Sequence, residues 1–156
     1  MKFICPLITV NDIKRSRYFY EEVLGQKVIA DFGENITFQG DFAIHLKEHF
    51  QSLLEGNEII HGRNNFELYF EDDDPEPIVE RLKAYGSHFV HELREQPWRQ
   101  RVVRFHDPDG NLIEIGESME HVSWRLYQEG IEMAEICRIT YMPEEFVRKA
   151  ITKYNG

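Results

Sequence analysis

Through residue 117, short runs in which apolar and polar residues alternate are interrupted twice by a stretch whose apolar positions recur at helical spacing. Residues 3–10, FICPLITV, are apolar and β-branched, the pattern of a strand. Asn11 or Asp12 then offers a cap to IKRSRYFYEEVLG, an amphipathic helix expected to stop at Gly25. Three strand-like runs follow, QKVIADF, ENITFQ and DFAIHLK, broken around Gly33 and at the Gly40-Asp41 turn signal. The same order then returns. NNFELYF reads as a strand, Asp72 to Asp74 with Pro75 open the helix EPIVERLKAYG, and SHFVHEL, QRVVRFH and NLIEIGE are three further strands. YEEVLGQKV lies over ERLKAYGSHFV in a weak internal repeat of about sixty residues. Two strand-helix-strand-strand-strand units predict an α+β fold in which each curved sheet is backed by one helix.

From Ser118 the pattern turns helical: SMEHVSWRLYQEG, IEMAEICRIT, and PEEFVRKAITKY with Pro143 at its start. The domain reading is therefore a body over residues 1–117, with repeats over about 1–55 and 62–117, and a three-helix extension over 118–156. Val122, Leu126, Ile131, Ile136, Met142 and Phe146 are the extension's expected packing residues, on the body or on a second subunit. Its run RLYQEGIEMAEICRITYMPEEFVRKAI resembles a helix-turn-helix, but Glu144-Glu145 would bring negative charge to a phosphate backbone.

Net charge narrows the partners. At −10, the chain lacks the Lys and Arg excess that nucleic acid or an acidic lipid surface requires. The opening MKFICPLITV is too short an apolar run for a signal peptide or a spanning helix, so a cytoplasmic protein without a membrane segment is expected. Cys5 and Cys137 have neither disulfide-framework nor zinc-finger spacing.

The candidate chemistry centres on RFHDPDGNLIEIGE, residues 104–117, where Glu114 stands among Leu112, Ile113 and Ile115. A carboxylate there holds a metal, pairs with a neighbouring charge, or faces water. If the hairpin closes around DPDGN, Arg104 becomes its cross-strand partner.

Three pieces carry a family resemblance: LITVNDIKRSRYFYEEVLGQKV, QPWRQRVVRFHDPDGNLIEIGE, and the duplicated unit between them. Over roughly residues 1–117 the chain resembles the vicinal oxygen chelate superfamily of glyoxalase I, fosfomycin and bleomycin resistance proteins, and extradiol dioxygenases. The resemblance implies two βαβββ repeats forming a cupped mixed sheet, a small-molecule ligand in the cup, and a homodimer. It also implies a divalent metal (Zn, Ni, Mn or Fe) at four positions, here Cys5, His45, Asn65 and Glu114. Glu114 keeps the usual ligand chemistry; Cys5 and Asn65 depart from the family's His, Glu or Gln, and Asn offers only a neutral carbonyl oxygen.

Strand alternation extends this set. Cys5 brings Leu7 and Thr9 to the inner face, His45 brings Ala43 and Lys47, and Asn65 brings Glu67 and Tyr69. Glu114 brings Leu112 and Gly116, with Val102, Arg104 and His106 beside them, while Val103 and Phe105 pack on a helix. Two arrangements are open. His45, Glu67, His106 and Glu114, with Cys5 as a further donor, would form a displaced metal site in which Glu67 moves the proton. Alternatively Arg104 pairs with Glu114 or holds a carboxylate or phosphonate, with His45 or His106 as proton donor and Thr9, Tyr69 and Trp98 shaping the cup. Both lead to a glyoxalase-like lyase or isomerase, of the lactoylglutathione-lyase type or another metal-dependent kind. The alternative class is a binding protein that sequesters a drug without chemistry.

Overall fold

The structure is a computed structural model and describes residues 2, 4–61 and 66–156. Its eight strands form two four-stranded mixed sheets. The first contains β1 (Leu7–Val10), β2 (Val28–Asp31), β3 (Asn35–Phe38) and β4 (Phe42–Leu46), in the order β1-β4-β3-β2. In the second, β5 (Glu67–Glu71), β6 (His88–Glu95), β7 (Arg101–His106) and β8 (Leu112–Gly116) run in the order β5-β8-β7-β6. The repeat read from the sequence is therefore present as two strand sets of equal size, each with a helix after its first strand: α1 (Ile13–Tyr18) and α3 (Pro75–Tyr85).

Two compact units emerge, residues 1–67 with 80–88 and 106–112, and residues 68–79 with 89–105 and 113–156. In the first unit β1 runs parallel to β4, pairing Thr9 with His45, and β3 runs antiparallel to β4, pairing Asn35 with His45. Asp12 is the helix cap: its carboxylate accepts from the amides of Lys14 and Arg15 at 2.9 and 3.0 Å. Asn11, the other capping candidate, donates instead to Asp109. Helix α1 continues as a π-helical turn over Phe19–Val23 before the left-handed stop at Gly25 (φ +67°). That turn seats Phe19 and Tyr20 in the core, where Tyr20 lies 5.4 Å from the rings of both Phe38 and Phe42. Each such buried ring contributes about 1.5–3 kcal/mol.

The DPDGN turn is anchored on the same helix. Asp109 accepts from Asn11, Arg15 and Ser16 at 2.6–3.1 Å, and Asp107 accepts from Tyr20 and Asn111 at 3.0 and 2.8 Å. Burial raises the Asp107 pKa despite the opposing hydrogen bonds from Asn111, Asp109 and Tyr20. Both aspartates therefore serve the architecture of the turn.

In the second unit, the sheet buries Leu68, Val103, Phe105, Ile113 and Ile115. Helices α4 (Met119–Gln128), α5 (Met133–Thr140) and α6 (Glu144–Asn155) belong to it and have their own core of Val122, Leu126, Ile136 and Val147. Ile131 and Met142, expected to pack on the body or on a second subunit, pack against that core of the helices themselves. The remaining helix, α2 (Lys47–Leu53), follows β4 directly. It corrects the alternation drawn through Lys47: the strand stops at Leu46, so Lys47 cannot share a strand face with His45. Among the described residues no helix is long and apolar enough to cross a membrane.

Candidate functional site

The exposed side of the second sheet carries the densest set of expected residues. Arg104 on β7 and Glu114 on β8, neighbouring strands, form an ion pair through Nη2 and Oε2. The Glu114 side chain is 8% exposed and that of Arg104 27%, so the carboxylate is sunk in the sheet while the guanidinium reaches solvent. His91 Nε2 lies 3.5 Å from Arg104 Nη1. Of the three fates open to Glu114, pairing with a neighbouring charge is the one observed.

The same unit also holds a chain of polar contacts. Trp98 donates its indole N–H to Gln100 Oε1 at 2.8 Å, and Gln100 Nε2 donates to the Tyr69 hydroxyl at 3.0 Å and to the Glu117 carbonyl at 2.7 Å. Tyr69 in turn donates to Glu71 at 3.1 Å. Burial, followed by the negative charge of Glu71, pushes the Tyr69 phenol up to about 12, so it is a neutral donor at physiological pH. Trp98 and Tyr69, chosen from the sequence as wall residues, are thus joined by Gln100. Sequence reasoning passed over Gln100, which follows Trp98 through a turn with Arg99 left-handed (φ +69°), just before β7.

Gly116 makes this packing possible. A Cβ there would lie 2.8 Å from Gln100 Nε2 and 3.1 Å from Val102 Cγ1. Below Gln100, the fully buried Glu117 accepts from the Arg101 amide at 2.9 Å and pairs with Arg101 and Arg125 at 2.9 and 3.1 Å. His121 Nδ1 lies 3.1 Å from the same carboxylate. This cluster was also missed, because Glu117 reads as the end of the strand run NLIEIGE and its partner Arg125 lies on the helix that follows.

In the first unit, His45 is 6% exposed and both its ring nitrogens are engaged. Asn35 Nδ2 donates to Nδ1 at 3.2 Å, which places the proton of the neutral ring on Nε2, 2.8 Å from His49 Nδ1. Burial, then the neighbouring His49, lowers the His45 pKa, so the ring is neutral at pH 7. Phe50 of α2 lies 5.3 Å from the same ring. Thr9, His45's partner across the parallel pair, lines an open cavity of about 320 Å³ with Leu7, Phe50, Leu54, Ile60 and Phe66. Cys5 is a half-buried free thiol just before β1, and Glu67 is the half-buried first residue of β5. His106, at the end of β7, faces His88. Asn65 lies outside the described residues.

The set of four positions implied for a metal includes Asn65, outside the described residues. Among the described residues no three His, Cys, Asp or Glu side chains converge to hold an ion. Glu114 has Arg104 as a counter-charge, and neither nitrogen of His45 has a lone pair to spare in the tautomer described. The second unit instead holds a guanidinium paired with Glu114 and, separately, a neutral phenol joined through Gln100 to an indole.

Comparison with known proteins agrees with the fold. Residues 3–120 match the glyoxalase-like domain. An uncharacterized protein, YraH of Bacillus subtilis (strain 168), is 31% identical over 126 residues, covering 74% of this chain and 97% of its own. A protein of unknown function from Agrobacterium tumefaciens str. C58 has a crystal structure that is 40% identical, with a TM-score of 0.69, covering 76% of this chain and 94% of that one. A glyoxalase-related enzyme from Fulvimarina pelagi, 22% identical with a TM-score of 0.65 over 76% of this chain and 89% of its own, shares the fold.

Proposed function

Because the chain belongs to the glyoxalase-like domain family, we propose that it acts on a small anionic organic molecule in a reaction of lyase or isomerase type. The observation that carries this reading is the Arg104–Glu114 pair, a partly exposed guanidinium held against a nearly buried carboxylate. In this reading Glu114 holds Arg104 against the sheet, and the partly exposed guanidinium attracts a substrate carboxylate or phosphonate.

Tyr69, a neutral phenol that donates to Glu71 and accepts from Gln100, and Trp98, with its N–H turned to Gln100, supply an aromatic wall. A phenol with so high a pKa is a poor base at pH 7, which leaves Glu67 as the candidate to take a proton from the substrate. Glu67 shares one side of β5 with Tyr69 by alternation. A divalent metal, where present, would polarise a substrate oxygen as a Lewis acid. The family likeness also implies a homodimer, for which light scattering would give about twice 18.6 kDa.

The test pairs binding with turnover. Untagged protein is offered hemithioacetal, epoxide-phosphonate and catechol substrates, with and without Ni(II), Zn(II), Mn(II) or Fe(II), and its native metal content is measured. The expected result is turnover of an anionic substrate that falls at least about a hundredfold in Arg104→Gln, the loss of one charged hydrogen-bonding anchor. Saturable binding without turnover would identify a sequestering protein. Neither binding nor turnover across the panel would overturn the reading.

A further inference from the structure

His88 opens β6 and His106 closes β7, so adjacent strands bring the two side chains together. Their Nδ1 atoms are 3.1 Å apart, and the rings lie nearly parallel, 28° between planes with centroids 5.3 Å apart. A ring pair one residue further along the same strands, Phe89 and Phe105 at 6.2 Å, shows that the strands keep this register. The two imidazoles are consequently set by backbone pairing and not by flexible loops.

We infer that His88 and His106 form a two-histidine clamp for a borderline divalent transition-metal ion. Metal–imidazole bonds are about 2.0–2.1 Å long, so nitrogens 3.1 Å apart subtend about 100° at a shared ion. That angle falls between the right angle of square-planar or octahedral coordination and the tetrahedral angle, and either is reached with a shift of a few tenths of an ångström. Imidazole nitrogen is a good donor to Cu(II), Ni(II) and Zn(II), and the usual order of affinities places Cu(II) first. His88 is exposed, so the remaining coordination positions are open to water or to a small ligand. The clamp is independent of the Arg104–Glu114 reading and requires neither residue.

Isothermal titration of the untagged chain with Cu(II) and Zn(II) tests it, together with the electron paramagnetic resonance spectrum of the Cu(II) form. One equivalent of ion is expected, with Cu(II) the tighter, and superhyperfine structure from two nitrogens. His88→Asn and His106→Asn should each weaken binding by no less than the about 10–100-fold lost when a mere supporting partner of a ligand is removed. Glu114→Gln and His49→Asn should leave it unchanged. Thermal unfolding of the apo variants serves as the folding control, and His88→Gln is a second, larger replacement at the exposed position. Absence of binding overturns the clamp. So does binding that survives both histidine variants or that is lost in His49→Asn, since the ion would then sit at His45 and His49.

Discussion

At the scale of single residues, the sharpest test of the structure is Glu117. A carboxylate with no exposed surface is costly unless its charge is met, and here Arg101, Arg125 and the Arg101 amide meet it. Burial alone would raise its pKa, but the hydrogen bonds from Arg101 and Arg125 outweigh burial and the net shift is downward. The folded pKa is thus below the ordinary value of 4.5, so the stabilisation is complete above that value and fades as pH falls through the depressed one. Glu117→Gln removes the buried carboxylate shared by Arg101 and Arg125, which keep Glu76 and Glu129 as partners, and a loss of about 1–3 kcal/mol is expected in urea unfolding at pH 7. Repeating the measurement down through pH 4 should narrow the gap between the two proteins. A gap that stays constant would mean that Glu117 does not carry this charge. Arg104 presents the opposite case: partly exposed, it is expected to matter more for ligand than for stability.

Elements place these residues, and Gly116 shows how tightly. Gln100 is buried and hydrogen-bonded at its amide to Tyr69 and to Glu117, so it cannot swing away from a new methyl group without giving up both contacts. Gly116→Ala should therefore cost about 1–3 kcal/mol, and because Trp98 is bonded to Gln100, tryptophan emission should change in the folded protein. An unchanged spectrum with unchanged stability would show that Gln100 is free to move. Most elements were legible in the sequence, since caps, glycine stops and period-two runs agree with one another in α1, α3 and the strands. Helix α2 was not. Leu46 caps it without a side-chain hydrogen bond, so the start signal is missing and DFAIHLK reads onward as strand. The cost was functional: His49 lies on that helix, and without it the engagement of His45 could not be foreseen. Arg104 and Glu114, on neighbouring strands joined by a short turn, were legible because hairpin geometry determines which side chains meet. His88 with His106 obeys the same rule, but an eighteen-residue separation hides it unless strand order is known.

For the molecule as a whole, the question is whether the three C-terminal helices are an appendage or part of the second sheet's stability. Helices α4 to α6 have their own apolar core, which alone would allow them to open separately. The polar contacts point the other way. Arg125 of α4 reaches the buried Glu117 and the Arg99 carbonyl at 3.1 and 2.6 Å, and Arg99 pairs with Glu129. Asp73 accepts from both Ser118 and Tyr154, tying the start of α4 and the end of α6 to the segment after β5. Opening the helices would therefore strand Glu117 with fewer partners and release Asp73, a penalty that couples the two parts. Native-state hydrogen exchange should report one opening free energy for the amides of α4, α6, β7 and β8. In Arg125→Met, which keeps the apolar stem but removes the charge, all four sets should fall together, by about 3 kcal/mol. Amides of α4 and α6 exchanging well before those of β7 and β8, with Arg125→Met affecting only the helices, would instead make the extension a separate cooperative piece.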